Sequence, residues 1–222
     1  YIAYILLFAF YVVTIGYVAQ RYGHAHLLDE FNIRLLIRDP VEFLKHGLLL
    51  EYKPLNLDVL PLYIALMVAF PLLLWVLIRW PNIALVISAG VYIAAQAGCN
   101  LRAYPAGHWY FNPFCWQLMF VFAAWCGIGQ IDRIARVVWS KGVMLLAAAW
   151  LAFALLIVMT WHVHALEAMI PKWMIKAIYP IDKTDLDMLR FTHFLALAIW
   201  MTHFLSRKWR PLHSAWLRPV IL

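Results

Sequence analysis

Apolar residues gather into long blocks separated by polar stretches, and the blocks run over 1–18, 57–78, 82–98, 114–131, 143–161 and 188–205. A helix needs ~20 mainly apolar residues to cross the hydrocarbon core of a bilayer. Stretches such as "LPLYIALMVAFPLLLWVLI" are apolar on every side rather than at alternate positions, which excludes the strands of a membrane barrel. The pattern predicts an all-α, polytopic transmembrane helical bundle: a single membrane domain over 1–222 with six spans at those blocks. Block 82–98 is the shortest, and Arg190, His193 and His203 interrupt block 188–205.

The polar stretches carry their own helix signals. In "DPVE", Asp39 stands at an N-cap position, Pro40 at the first helical position and Glu42 at the third, a capping-box arrangement. The "VEFLKHGLLLEY" that follows is too short and too charged to span. It predicts an amphipathic interfacial helix over about 40–50, with Phe43, Leu44 and Leu48 turned towards lipid or protein, serving as a structural lid or as a substrate gate. "TDLD", Thr184 to Asp187, resembles a second capping box, with Thr184 as the cap and both acids favoured by the positive helix end.

Composition agrees with a lipid-embedded chain, since 66% of the 222 residues are hydrophobic and 13% are charged. Charge adds an orientation. One predicted face carries Arg79, Arg133, Arg136, Lys141, Arg207, Lys208, Arg210 and Arg218 against Asp132 alone; the other holds ten basic and ten acidic residues. Dense Lys and Arg beside span ends mark the cytoplasmic side. That places 79–81, 132–142 and 206–222 in the cytoplasm and 19–56, 99–113 and 162–187 outside, with six of the nine histidines in the outer segments. The net charge of +7 calls for anionic headgroups of a lipid bilayer and for no nucleic acid. Cys99, Cys115 and Cys126 lack a zinc-like spacing and read as small packed thiols, although Cys99 and Cys115 flank one loop. No Cys/His grouping predicts a metal site. The first block has no basic leader or small-residue cleavage site, and the last residues stop in an apolar turn, so the chain is expected to be an internal piece of a larger membrane protein.

Two stretches concentrate candidate chemistry at span entrances. "NLDVLPLY" puts Asp58 at the mouth of the second block, with Pro61 in the first helical turn, where its missing amide costs little. Asp58 is either a helix cap or a group that orients a polar substrate, with Lys53, Asn56 and Tyr63 nearby. "GHWYFNPFCWQ" surrounds Asn112-Pro113 with Trp109, Tyr110, Phe111, Phe114, Trp116 and Gln117. It is either an interfacial aromatic belt or a surface that stacks on sugar rings while bonding their hydroxyls.

Together, "NLDVLPLYIALMVAFPLLLW", "YPAGHWYFNPFCWQLMFVFAAWCG" and "DKTDLDMLRFTHFLALA" resemble the OpgC family of osmoregulated periplasmic glucan succinyltransferases, within the transmembrane acyltransferase superfamily. The resemblance implies about ten spans in the bacterial inner membrane, of which this chain supplies the third to eighth. It implies an O-acyltransferase that takes a succinyl group from succinyl-coenzyme A, with no permanently bound cofactor, and places it on hydroxyls of a periplasmic glucan. Asp58, Trp109, Asn112, Trp116 and Gln117 are then the expected substrate-binding residues. The superfamily's catalytic pair, a basic residue followed eleven positions later by His, has no match here; the catalytic residues are expected elsewhere, and the piece alone is expected to be inactive. Competing expectations are acetyl transfer to another cell-surface polysaccharide and, from another class, a small-anion carrier. Carriers show internal repeats with broken midplane helices, and no repeat is visible here.

Overall fold

The computed structural model describes residues 1–52, 57–104, 106–160, 162–163, 171–178 and 181–206. Among the described residues there are helices and no strands, only an isolated bridge between Arg102 and His108. The helices are α1 (Ile2–Arg21), α2 (His26–Glu30), α3 (Arg34–Arg38), α4 (Pro40–Leu48), α5 (Val59–Arg79), α6 (Pro81–Ala95), α7 (Pro113–Trp125), α8 (Ile131–Val138), α9 (Lys141–Met159), α10 (Lys172–Ile178) and α11 (Met188–Ser206). Two compact units result: Tyr1–Ile128 with Lys183–Leu186, and Gly129–Asp182 with Asp187–Leu222. The boundary falls at Gly129, whose φ of 85° breaks the helical path between Trp125 and Ile131 at a conformation that glycine adopts without strain.

Several apolar helices mark a membrane protein, and four of the six expected spans are matched by helices long and apolar enough to cross among the described residues. They are Ile2–Arg21, Val59–Arg79, the run Pro113–Val138 that takes in α7 and α8 on either side of the break at Gly129, and Lys141–Met159. The 82–98 block forms a helix of 15 residues, short of the ~20 a crossing needs. The 188–205 block forms the 19-residue α11, whose apolar run is diluted by Arg190, His193 and His203.

In the first unit, the segment after α1 does not stay at one end of that helix. It folds back along it. The Phe31 ring meets Tyr11 at 5.9 Å, the Phe43 ring meets Phe8 at 5.3 Å, the Tyr4 hydroxyl donates to Gly47 O at 2.9 Å, and the Tyr1 hydroxyl donates to Leu48 O at 2.5 Å. At 1.5 Å per residue, α1 is ~30 Å long, and the return covers more than half of it. Tyr1 therefore lies beside Leu48 at the end of α4. The physical reason is a buried stripe, Tyr4, Phe8 and Val12, that needs apolar cover. Ile33, Phe43, Tyr52 and Leu57 supply it. The opposite side of α1 keeps Leu6, Phe10, Val13 and Tyr17 exposed for lipid.

α4 starts as its capping signal indicates, with the Asp39 carboxylate accepting from Glu42 N–H at 3.1 Å. Phe43 is buried, while Leu44 and Leu48 are exposed. α5, α6 and α7 pack side by side through Leu77, Ala84, Val121 and Trp125. On α6, Ala84, Ser88, Tyr92 and Ala95 recur at helical spacing and form its buried stripe. In the second unit, α9 packs along α11. Here the second capping box resolves differently from its expected form. Asp187, not Thr184, caps α11, its carboxylate accepting from Leu189 N–H at 2.8 Å.

Candidate functional site

The polar residues of the first unit concentrate where residues 99–112 and 183–186 meet the starts of the helices. Asn112 is the hub, with no exposed surface. Its side-chain oxygen accepts from Phe114 N–H at 3.0 Å and so caps α7. Its amide donates to Cys99 O at 2.8 Å and to Asp185 Oδ1 at 2.7 Å. Its backbone N–H donates to Thr184 O at 3.0 Å. Asp185 is the ion that this amide answers, and its backbone oxygen also accepts from Gln96 Nε2 at 2.7 Å. The Tyr92 hydroxyl donates to Leu186 O at 2.9 Å, so α6 and α7 hold residues 183–186 between them.

The neighbours of Asn112 divide by exposure. Trp109 is buried, and its backbone bonds Leu101 and Asn100. Trp116 is half-buried: its indole N–H donates to Thr184 O at 3.2 Å and its ring meets Phe111 edge-on at 5.1 Å. Gln117, a turn deeper, donates to Ser88 O at 2.8 Å and Phe114 O at 3.1 Å while accepting from Ser88 Oγ at 2.7 Å. Beside it, an apolar cavity of about 460 Å³ opens between α5, α6 and α7, lined by Leu66, Ser88, Leu101, Phe114 and Gln117 among others.

Thus Trp109, Asn112, Trp116 and Gln117 share one patch. The amides of Asn112 and Gln117 are engaged inside the protein, a geometry suited to shaping the patch. The half-buried Trp116 and the exposed Tyr110 are the rings within reach of a ligand. Asp58 belongs to a second cluster, around the start of α1. It occupies the N-cap position of α5 without making a capping bond, and it lies within electrostatic range of Tyr4. Lys53 and Asn56 lie outside the described residues, and Tyr63 is exposed.

The second cluster contains a constellation that the sequence reading passed over. His46 lies between two carboxylates, with Nε2 2.8 Å from Glu42 and Nδ1 2.5 Å from Glu51, and its ring stacks on Tyr104 at 3.8 Å. Tyr104 N–H donates to Glu51 O at 3.0 Å, so this stack ties residues 99–112 to the end of α4. The signal was the Glu42–His46 spacing of one helical turn, with Glu51 five residues on. Close by, the Tyr52 hydroxyl donates to Asn32 O at 2.5 Å, and burial pushes its pKa up to about 12. Cys115 is buried, its thiol 3.7 Å from Asp185 Oδ1, while Cys99 is exposed and free. Among the described residues, no three His, Cys, Asp or Glu side chains converge as a metal-holding group.

The sequence profile of the OpgC protein family matches residues 1–222, the whole chain. The chain belongs to the OpgC protein family. Membership carries an acyltransferase-type role for this membrane protein. No curated protein and no solved structure matches the chain.

Proposed function

We propose that this OpgC-family chain forms substrate-binding parts of a membrane O-acyltransferase that moves a succinyl group from a coenzyme A thioester to hydroxyls of a periplasmic glucan. The observation that carries the reading is the family match over the full length, joined to a patch of rings and polar groups at span entrances. In such a transfer the hydroxyl oxygen bonds to the thioester carbonyl carbon, the carbon–sulfur bond breaks, the hydroxyl proton passes to a base, and the thiolate leaves to be protonated. A base and oxyanion donors are the general requirements. Trp116 offers a ring face for a glucose unit. Asp58, at the N-cap position of α5, orients or polarises a sugar hydroxyl. Asn112, Gln117 and the buried Trp109 act as positioning residues that hold Trp116 and residues 183–186 in place.

The test is mass analysis of periplasmic glucans from a strain lacking the full-length gene. Loss of the succinate mass, restored by the full-length gene, supports the proposal. Loss of an acetyl mass, or unchanged glucans, counts against it.

A further inference from the structure

The second unit contains an apolar cavity with a cation in its wall and no carboxylate among the described residues that line it. It measures about 370 Å³ and lies between α9, α10 and α11, in the size range of small-molecule sites. Its walls are mainly apolar, including Phe153, Ile157 and Leu197, and Arg190 and His193 enter it one helical turn apart from α11. Two buried donors there have no hydrogen-bond partner: Arg190 Nε and Trp150 Nε1. No ion pair to Arg190 is present among the described residues. Among the described residues that line the cavity there is no Asp, Glu, Asn or Gln, and His193 is the one side chain with a ring nitrogen able to accept. Buried polar groups are nearly always satisfied, so an apolar pocket with a cation and no carboxylate among its described walls suits an anionic acceptor from outside the protein. A guanidinium fork fits an oxyanion through two parallel N–H bonds.

We infer that this cavity receives the free carboxylate of a short dicarboxylic acyl group, with Arg190 and Trp150 donating to the carboxylate and the apolar walls covering the methylenes. The inference rests on the succinyl reading above and deepens it. A distal carboxylate is what separates a succinyl from an acetyl group, and a transferase that prefers the former needs a cation to meet it. A lipid headgroup phosphate has the same oxyanion chemistry and is the rival source.

The experiment uses the full-length protein in nanodiscs of neutral phosphatidylcholine. Arg190→Gln is expected to lower the succinyl-to-acetyl ratio of kcat/KM by on the order of 10- to 100-fold, the range for losing a charge-assisted bond, with Arg190→Lys in between. Trp150→Phe, which keeps most of the ring volume, is expected to lower the ratio less. A ratio that stays at the wild-type value in Arg190→Gln, including a parallel fall in both rates, overturns the inference. Monomethyl succinate provides a readout independent of turnover: it is expected to raise the thermal unfolding temperature of the wild type and not of Arg190→Gln, while neutral dimethyl succinate raises neither. If the wild type transfers no succinyl group yet shows this stabilisation, the proposed function fails and the carboxylate site stands. If monomethyl succinate gives no stabilisation, or phosphatidylglycerol in the disc abolishes it, the site as assigned fails.

Discussion

Replacing Asn112 by Asp separates two accounts of this residue, because the shapes are nearly equal and the charges are not. If Asn112 served only as the cap of α7, Asp would do as well, and the helix dipole would favour the anion by about 0.3–1 kcal/mol. The structure also makes Asn112 a donor, to Cys99 O at 2.8 Å and Asp185 Oδ1 at 2.7 Å. Asp at 112 loses both donations and sets a second carboxylate against Asp185. Two like charges ~4 Å apart repel by about 4 kcal/mol at the effective dielectric of a protein. The net destabilisation is then about 3 kcal/mol, which for a chain of this size lowers Tm by ~6–12 °C. Asn112→Ala, which deletes three bonds without adding charge, is expected to cost a similar amount through partners left unsatisfied. Thermal unfolding of the full-length protein in mild detergent provides the assay. The deficit of Asn112→Asp should shrink as the pH falls towards about 5, since a proton shared by the pair removes the repulsion. A variant as stable as the wild type at neutral pH refutes the reasoning.

Other expectations address the return segment along α1. A Cβ on Gly47 would sit 2.7 Å from Phe8 Cζ, while the Tyr4 hydroxyl holds the backbone at Gly47. Gly47→Ala is therefore expected to cost about 1–3 kcal/mol in thermal unfolding, with Phe8→Leu partly relieving it in the double variant. Tyr52 titrates at about 12 in the folded chain against 10.0 for the free group. The raised value means that its share of stability is intact below pH 10, declines as the pH rises above that value and is gone above pH 12. Tyr52→Phe should accordingly flatten the loss of stability between those pH values, read as Tm against pH beside the wild type.

Helix starts were the most legible part of the fold, because a cap is a local device. The order Asp39-Pro40-Glu42 and the pair Asn112-Pro113 each begin a helix where their chemistry requires. "TDLD" offered two side chains able to cap; which one does so depends on α6 and α7 drawing Thr184 and Asp185 into their own bonds, and that is a long-range matter. The return of residues 22–52 along α1 was hidden for a related reason. The helix at about 40–50 and its Phe43 face were legible, but the other covering residues, Phe31, Ile33 and Tyr52, follow no single period and are interspersed with charges, so the return along α1 left no pattern. Aromatic density at residues 109–116 pointed to the patch, yet only geometry distinguishes a buried Trp109 from a half-buried Trp116. The cavity beside Arg190 had a trace in the sequence, a charge inside an apolar block, but the apolar walls that enclose it could be seen only in the structure.

Glucan succinylation by the full-length protein carrying Asp58→Asn or Trp116→Phe, each alone, measures the central claim most directly, with membrane insertion checked in parallel. Both variants should insert normally; Asp58→Asn should lose most acyl transfer, and Trp116→Phe, keeping a smaller ring, should raise KM for the glucan more than it lowers kcat. Wild-type kinetics in both would contradict the assignment of Asp58 and of the Trp116 patch to the acceptor.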